Sequence, residues 1–427
     1  MTPAPELLRA SFVAALAAAG AKQVLSAHLP PRPRGRCLVV GAGKAAAAMA
    51  AAVEAAWTDV ELDGLVITRY GHGAATERVR VIEAGHPVPD AAGAKAAQEI
   101  LDRAAALGSD DLLLVLVSGG GSSLMSLPAA GLTMPDLQRL NRELLRCGAP
   151  IAEMNVVRKH LSAVSGGRLA QASAASVVAL IISDVTGDDP SAIASGPCAP
   201  DPSTYQEALE IIERYGIEAP ESVLQHLRAG AEGLVEETPK PGAKLFERVR
   251  NIVIANPHAS LLAAAAHIER DGVPCAVLGD TVTGEAREVA KVYAALVREV
   301  RRYGEPWQVP IALISGGECT VTLPARVVGP TRGGRCTEFL LALAIELGDA
   351  DGVHALACDT DGIDGSEDNA GAVITPDTLL RARAHRIDAR AHLENHDAWG
   401  FFSTLGDLVV TGPTLTNVND YRVILVG

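Results

Sequence analysis

Short apolar runs at 38–40, 64–68, 112–117, 177–182, 251–255, 274–278, 311–314, 354–357 and 421–426 alternate with stretches of helical periodicity along nearly the whole chain. This alternation constrains the fold more than any other feature. Strand then helix, repeated, builds α/β domains with mainly parallel sheets covered on both faces, because a parallel neighbour is reached only through a crossover. At 427 residues more than one domain is expected. Around Glu236, Pro239 and Gly242 the composition turns polar and proline-rich and the periodicity stops. The boundary is therefore expected there, with 1–240 a larger Rossmann-like domain and 241–427 a smaller C-terminal α/β domain. Aromatics supply only 3% of the chain, so the cores must be built from Ala, Val, Leu and Ile.

The first apolar run, from Cys37, breaks into Gly41-Ala42-Gly43-Lys44 and then an alanine-rich helical pattern. Glycines in a strand-to-helix turn let the backbone approach an anion, the helix directs its N-terminal amides at it, and Lys44 adds a full charge. The segment matches a dinucleotide fingerprint with Ala in the third position. However, the next strand ends in Thr68-Arg69-Tyr70, so the acid expected to hold an NAD ribose is missing. A Walker A loop is excluded, because Leu38 stands where its first glycine would be and Ala45 follows the lysine.

A net charge of −14 argues against nucleic-acid and acidic-membrane surfaces, so an anionic substrate needs a local cationic pocket. Seven scattered cysteines without a Cys-x-x-Cys pair read as reduced thiols of a cytoplasmic protein. The apolar start of the chain imitates a signal peptide, but Leu8, Phe12 and Leu16 recur at helical spacing and Glu6 spoils the basic leader. An amphipathic packing helix is expected there, and no stretch suggests a membrane span.

Further candidates follow other strand ends. Ser118-Gly119-Gly120-Gly121-Ser122-Ser123 suits a nest of amides around phosphate or carboxylate oxygens, and lacks the spacing of a nucleophile elbow. Arg158, Lys159 and Arg168 concentrate positive charge suited to an anion, with a solvated helix face as the alternative; His160 reads as structural. Asp184, Asp188 and Asp189 follow the run at 177–182, where carboxylates can hold Mg²⁺ or accept a proton from a hydroxyl nucleophile, or simply cap turns. The cluster from Asp359 to Gly365 fails as a calcium loop, since Asp364 replaces the required glycine. Glu318 and Arg335 lie beside the glycine turns Gly316-Gly317 and Gly333-Gly334; Arg335 suits bidentate capture of carboxylate or phosphoryl, or pairs with Glu318 or Glu338. Irregular antiparallel structure is expected after Glu318, where Thr320, Val321, Thr322 and Leu323 alternate and Pro-Gly-rich residues follow. The likeness between Val117-Ser118-Gly119-Gly120 and Ile314-Ser315-Gly316-Gly317 suggests two lobes facing one cleft.

Taken as an ordered series, Gly41 to Lys44, Gly85-His86-Pro87, Ser118 to Ser123, Asn155 to Leu169, Ser183 to Pro197, Ser315 to Glu318, Gly333 to Glu338, Asp359 to Gly365 and Thr411 to Asp420 resemble the class II glycerate kinases (glycerate 2-kinases). Members of this family are also labelled hydroxypyruvate reductases. The resemblance implies two α/β domains with the active site between them, ATP with Mg²⁺, and phosphorylation of D-glycerate at its 2-hydroxyl. By motif position it implies Lys44, Asp188, Glu318 and Arg335 as catalytic residues. Gly41, Gly43 and the 118–123 loop would hold the nucleotide phosphates, Arg158, Arg168 and Arg335 the substrate, and Asp184, Asp188 and Asp189 the metal. The expected partners are the small molecules alone, with a homodimer as the compatible assembly; an NAD(P)H-dependent reductase and a non-catalytic small-anion sensor are the alternatives. The chain departs from the family at Ser165, Cys336, Thr337 and Leu415, where lysine, Asn-Gln and glycine are usual.

Overall fold

A computed structural model describes residues 2–323 and 330–427. Its strands are β1 (Cys37–Ala42), β2 (Leu62–Arg69), β3 (Val79–Ala84), β4 (Leu112–Val117), β5 (Ser176–Ile182), β6 (Val249–Ala255), β7 (Cys275–Val277), β8 (Gly284–Glu285), β9 (Ile311–Ser315), β10 (Cys319–Thr320), β11 (Val353–Asp359), β12 (Gly371–Ile374), β13 (Leu408–Val409) and β14 (Asp420–Val426). Every apolar run singled out above lies on a strand. The short strands β3, β12 and β13 were not legible: β3 carries Arg80 and Glu83 and reads as mixed, while β12 and β13 are too short for a period.

The chain divides into two compact units, one of residues 21–254 and one of residues 1–20 with 255–427. The expected boundary at 240/241 therefore differs from the observed division in two ways. First, Glu236 to Gly242 lie inside the first unit. The Glu237 carboxylate accepts from the Tyr205 and Thr238 amides and meets His160 Nε2 at 3.0 Å, and Asp201 N–H donates to Pro239 O. Proline and charge mark a loop without making it a linker. Second, the N-terminal helix Ala4–Ala19 belongs with the C-terminal half: Phe12 stacks on Tyr421 and Ser11 Oγ lies 2.8 Å from the Tyr421 hydroxyl. Among the described residues no single helix is long and apolar enough to cross a membrane.

In the first unit the sheet order is β3-β2-β1-β4-β5-β6, with β1 to β5 parallel. This is the doubly wound order, in which the direction of winding reverses between β1 and β4. Helices such as Ala46–Ala56 and Ala91–Ala105 cover the sheet with alanines, whose small side chains bring helix and strands close. A separate helical cluster is built on Leu140, Val157, Tyr205, Ile211 and Leu227.

The second unit's main sheet has the order β13-β12-β11-β14-β9-β7. Only β7–β9 is parallel; β9–β14, β14–β11, β11–β12 and β12–β13 are antiparallel. The parallel expectation thus describes the first sheet and not this one. A strand buried on both faces gives the same apolar run in either direction, and no helix separates β11 from β12. Along β14 the period of two is visible, since Tyr421 and Val423 face the core of the N-terminal helix while Ile424 and Val426 face Phe339 and Leu341. After Glu318, β10 pairs with β8 in parallel rather than antiparallel fashion, with Thr320 and Thr322 donating to Glu285. The Pro-Gly-rich stretch 324–329 lies outside the described residues.

Candidate active site

The carboxyl ends of β1 and β4 meet at the winding reversal, where open α/β sheets bind ligands. The turn after β1 is fastened to the loop after β4: Lys44 N–H donates to Gly119 O at 2.9 Å and Ala45 N–H to Ser118 Oγ at 3.0 Å. The glycines have a reason other than the anticipated one. A Cβ on Gly41 would stand 1.9 Å from Leu116 O, and one on Gly43 would stand 2.1 Å from Ser118 Oγ. They admit the neighbouring strand and loop. Gly120 adopts φ +82 and lies against the His86 ring and the Lys44 side chain, while Gly121 lies against Ala194. The helix after this loop, Gly121–Leu124, is a single turn. Amides and hydroxyls of the loop are therefore its available donors, rather than a helix dipole.

Ser122 Oγ lies 2.8 Å from Ser195 Oγ. Ala194, Ser195 and Gly196 have φ of 49°, 58° and 61°, a left-handed run that costs about 1–2 kcal/mol for each non-glycine residue. Such strain marks functional loops, and it had no sequence signal except the small residues of Ala194-Ser195-Gly196 themselves. Ser122, Ser123, Ser195, His86 and Arg158 line one cavity of about 260 Å³, together with leucines such as Leu137 and Leu140 and the polar Gln138 and Arg142. His86 and Ser195 stand within motifs singled out above but had been given no role there.

The expected cations separate. Arg168 donates to Lys159 O at 2.9 Å and to the Tyr205 hydroxyl at 3.0 Å, so it braces backbone and helical cluster and does not line the cavity. Lys159 is buried in an ion pair with Asp201 at 3.3 Å. Burial lowers the pKa of His160 despite its Val156 carbonyl and Glu237 neighbours, in keeping with a structural role. Replacing Arg168 by Met is expected to cost about 1 kcal/mol, since the Lys159 carbonyl and Tyr205 hydroxyl each lose their shorter hydrogen bond and keep a longer one, to Ser162 N–H and to Glu236 O. Substrate KM should stay unchanged. Chemical denaturation with steady-state kinetics checks both.

Of the three aspartates after β5, Asp189 is exposed and accepts from Ser191 N–H and Oγ at 2.8 and 2.9 Å. Asp184 and Asp188 are half-buried, and Asp188 has φ +54. Among the described residues no group of three or more His, Cys, Asp or Glu side chains is placed to hold a metal ion. Asp189 is engaged in its own turn.

In the second unit Arg335 opens the helix Arg335–Leu347 and is ringed by acids: Asp359 and Asp420 at 2.7 Å and Glu318 at 3.5 Å. Burial lowers its pKa, but attraction to Asp420, Asp359 and Glu318 wins and holds it well above the ordinary arginine value. Its ion pairs are internal, so the anticipated capture of a substrate carboxylate by this fork is not what its geometry provides. Glu338 pairs instead with Arg287 at 2.7 Å and His396 at 2.9 Å. The departures Cys336 and Thr337 are structural: their amides and the Thr337 hydroxyl donate to Asp364, and Cys336 is wholly buried. Burial raises the pKa of Asp364 against those hydrogen bonds. Leu415 takes φ +59, the conformation that glycine would adopt without strain.

Residues 7–228 match a family model described as "Domain of unknown function (DUF4147)", and residues 311–420 match the "MOFRL family". A protein of Agrobacterium vitis named "Putative hydroxypyruvate reductase" is 53% identical over 99% of this chain and 95% of its own length. A "Glycerate 2-kinase" of Pyrococcus horikoshii is 40% identical, covering 92% of this chain and 88% of its own. The crystal structure of a glycerate kinase from Thermotoga maritima superposes with a TM-score of 0.85 at 37% identity, covering 99% of this chain and 98% of that one. Similarity of sequence and fold over almost its full length shows that this chain belongs to the glycerate 2-kinase family with a MOFRL domain.

Proposed function

We propose that this chain transfers the γ-phosphoryl group of ATP to the 2-hydroxyl of D-glycerate, giving 2-phosphoglycerate and ADP. The observation that carries the reading is the Lys44 turn hydrogen-bonded to the glycine loop at the reversal point of a Rossmann-like sheet. Phosphoryl transfer asks a protein for positioning and charge neutralisation more than for covalent chemistry. Lys44 offsets charge on the moving phosphoryl, and the amides of Ser118 to Ser123 hold phosphate oxygens. Asp188 orients the 2-hydroxyl and takes its proton as the oxygen attacks phosphorus and the bond to the ADP oxygen breaks. Within the second unit, Glu318 and Arg335 form a charged cluster with Asp359 and Asp420.

The donor set suits Mg²⁺ in its usual mode, one or two carboxylates plus substrate phosphates, with Asp184 and Asp188 as the protein's share. Bound there, the ion would neutralise phosphate charge. Seven free cysteines suit a reducing, cytoplasmic compartment.

A second reading, hydroxypyruvate reduction, is favoured by the name of the Agrobacterium vitis relative and by the strand order. β2 ends in Arg69, so no acid stands there to hold an NAD ribose, which weighs against NAD and leaves NADP open. An assay coupled through enolase without phosphoglycerate mutase separates the two. Immediate phosphoenolpyruvate from D-glycerate and MgATP is expected; NAD(P)H-dependent turnover of hydroxypyruvate with no ADP formed from glycerate would overturn the kinase reading.

A further inference from the structure

Two arginines of this chain present opposite charge balances. Arg335 is compensated by Asp359, by Asp420, which it shares with Arg422, and by the exposed Glu318. Arg158, in the last turn of the helix Ile151–His160, has no carboxylate partner among the described residues. Its Nε donates to Asn141 Oδ1 at 2.9 Å and one terminal nitrogen to Asn155 Oδ1 at 3.3 Å, both neutral oxygens. Burial alone moves its pKa, downward, with no charged neighbour to restore it. Keeping a desolvated guanidinium uncompensated costs stability unless an anion arrives to pair with it.

The surroundings say what kind of anion. Arg158 lines the cavity of about 260 Å³ shared with Ser122, Ser123 and Ser195. Ser195 is held in the left-handed region between Ala194 and Gly196, with its hydroxyl on that of Ser122. A fork that pairs bidentately with a carboxylate thus stands in one enclosed space with paired hydroxyls able to give and accept hydrogen bonds.

We propose that Arg158 is the anchor for the carboxylate of a short hydroxy acid, and that the Ser122–Ser195 pair meets the hydroxyls of the same molecule. The acceptor subsite then lies in this cavity of the first unit, and of the three arginines that the sequence offered for the substrate, Arg158, Arg168 and Arg335, the first is the anchor. Asn141 and Asn155 are positioning residues that aim the guanidinium. Glycerol, which has the hydroxyls but no carboxylate, does not bind. The identity of the acid as D-glycerate rests on the kinase reading; the subsite does not.

The test uses the full chain, with D-glycerate and glycerol as probes. D-glycerate should raise the Tm of the wild type and glycerol should not. Arg158→Gln should abolish that rise while unfolding, ligand-free, no earlier than the wild type, since it removes an uncompensated charge. Its KM for D-glycerate should rise by about 30-fold or more, the scale of a charge-assisted pair, with KM for ATP within about twofold. Asn141→Ala, which frees the Arg158 Nε but keeps the charge, should raise the glycerate KM by a smaller factor, with Tm nearly unchanged.

An unaltered glycerate KM and Tm rise in Arg158→Gln would overturn the proposal. So would loss of folding in that variant, because the guanidinium would then be holding the structure. If D-glycerate stabilises the wild type through Arg158 but no 2-phosphoglycerate forms, the subsite stands and the kinase reading falls. If 2-phosphoglycerate forms equally well without Arg158, the reverse holds.

Discussion

Lys44→Ala is expected to lower kcat for 2-phosphoglycerate formation by roughly a hundredfold or more, the scale of removing one preorganised electrostatic stabiliser. The backbone of the turn supports a selective effect. Lys44 is tied through its amide to Gly119, and its neighbour Ala45 to Ser118, so truncating the side chain leaves the β1–β4 junction intact. Gly41 and Gly43 keep their close approach to Leu116 and Ser118 whatever the side chain at 44. Tm should therefore shift little while turnover collapses. Steady-state kinetics with a thermal melt gives both numbers. Near-normal turnover with a lowered Tm would make the turn structural and sink its phosphate-handling role.

Arg335→Ala is expected to be the most destabilising single change considered, at about 3–5 kcal/mol, because the buried Asp359 loses its counter-charge, whereas Asp420 keeps its pairing with Arg422. Asp359 and Asp420 are both nearly inaccessible to solvent, at 2% and 1%. Glu318, with a side chain more than half exposed, contributes little to that sum. Adding Asp359→Asn to Arg335→Ala should return about 1 kcal/mol or more, since the two residues share one ion pair and their effects cannot add. Glu318→Gln alone should stay within about 0.5 kcal/mol of the wild type. Urea unfolding of the four proteins measures the cycle. Additive losses would mean that Arg335 is not held by Asp359 as the 2.7 Å contact implies. Arg335→Lys keeps the charge but loses the fork that serves Asp359 and Asp420 together, so it too should cost stability.

Local features were read well where their physics is local. A run such as Leu112 to Val117 is apolar at every position because β4 is buried on both faces, and that needs no knowledge of its neighbours. Gly120 is glycine because a left-handed turn requires it. Asp364, which stands where a calcium loop needs glycine, caps a helix that starts at Arg335, far away in sequence, and no local rule could pair them. The same holds for Ser195, whose conformation is imposed by its surroundings rather than by its side chain.

By itself the sequence determined the strands with continuous apolar runs, the strand–glycine–lysine–helix junction at Gly41 to Ala46, and, through an ordered series of motifs, the family. Only the tertiary structure decided strand direction in the second sheet, the docking of the N-terminal helix on the C-terminal half, and the charge state of each arginine's surroundings. Burial patterns are written residue by residue along the chain, whereas charge compensation depends on which distant segments fold together. Arg158 and Arg335 look alike as letters; carboxylates brought from Glu318, Asp359 and Asp420 surround one, and among the described residues the other is reached by the neutral oxygens of Asn141 and Asn155.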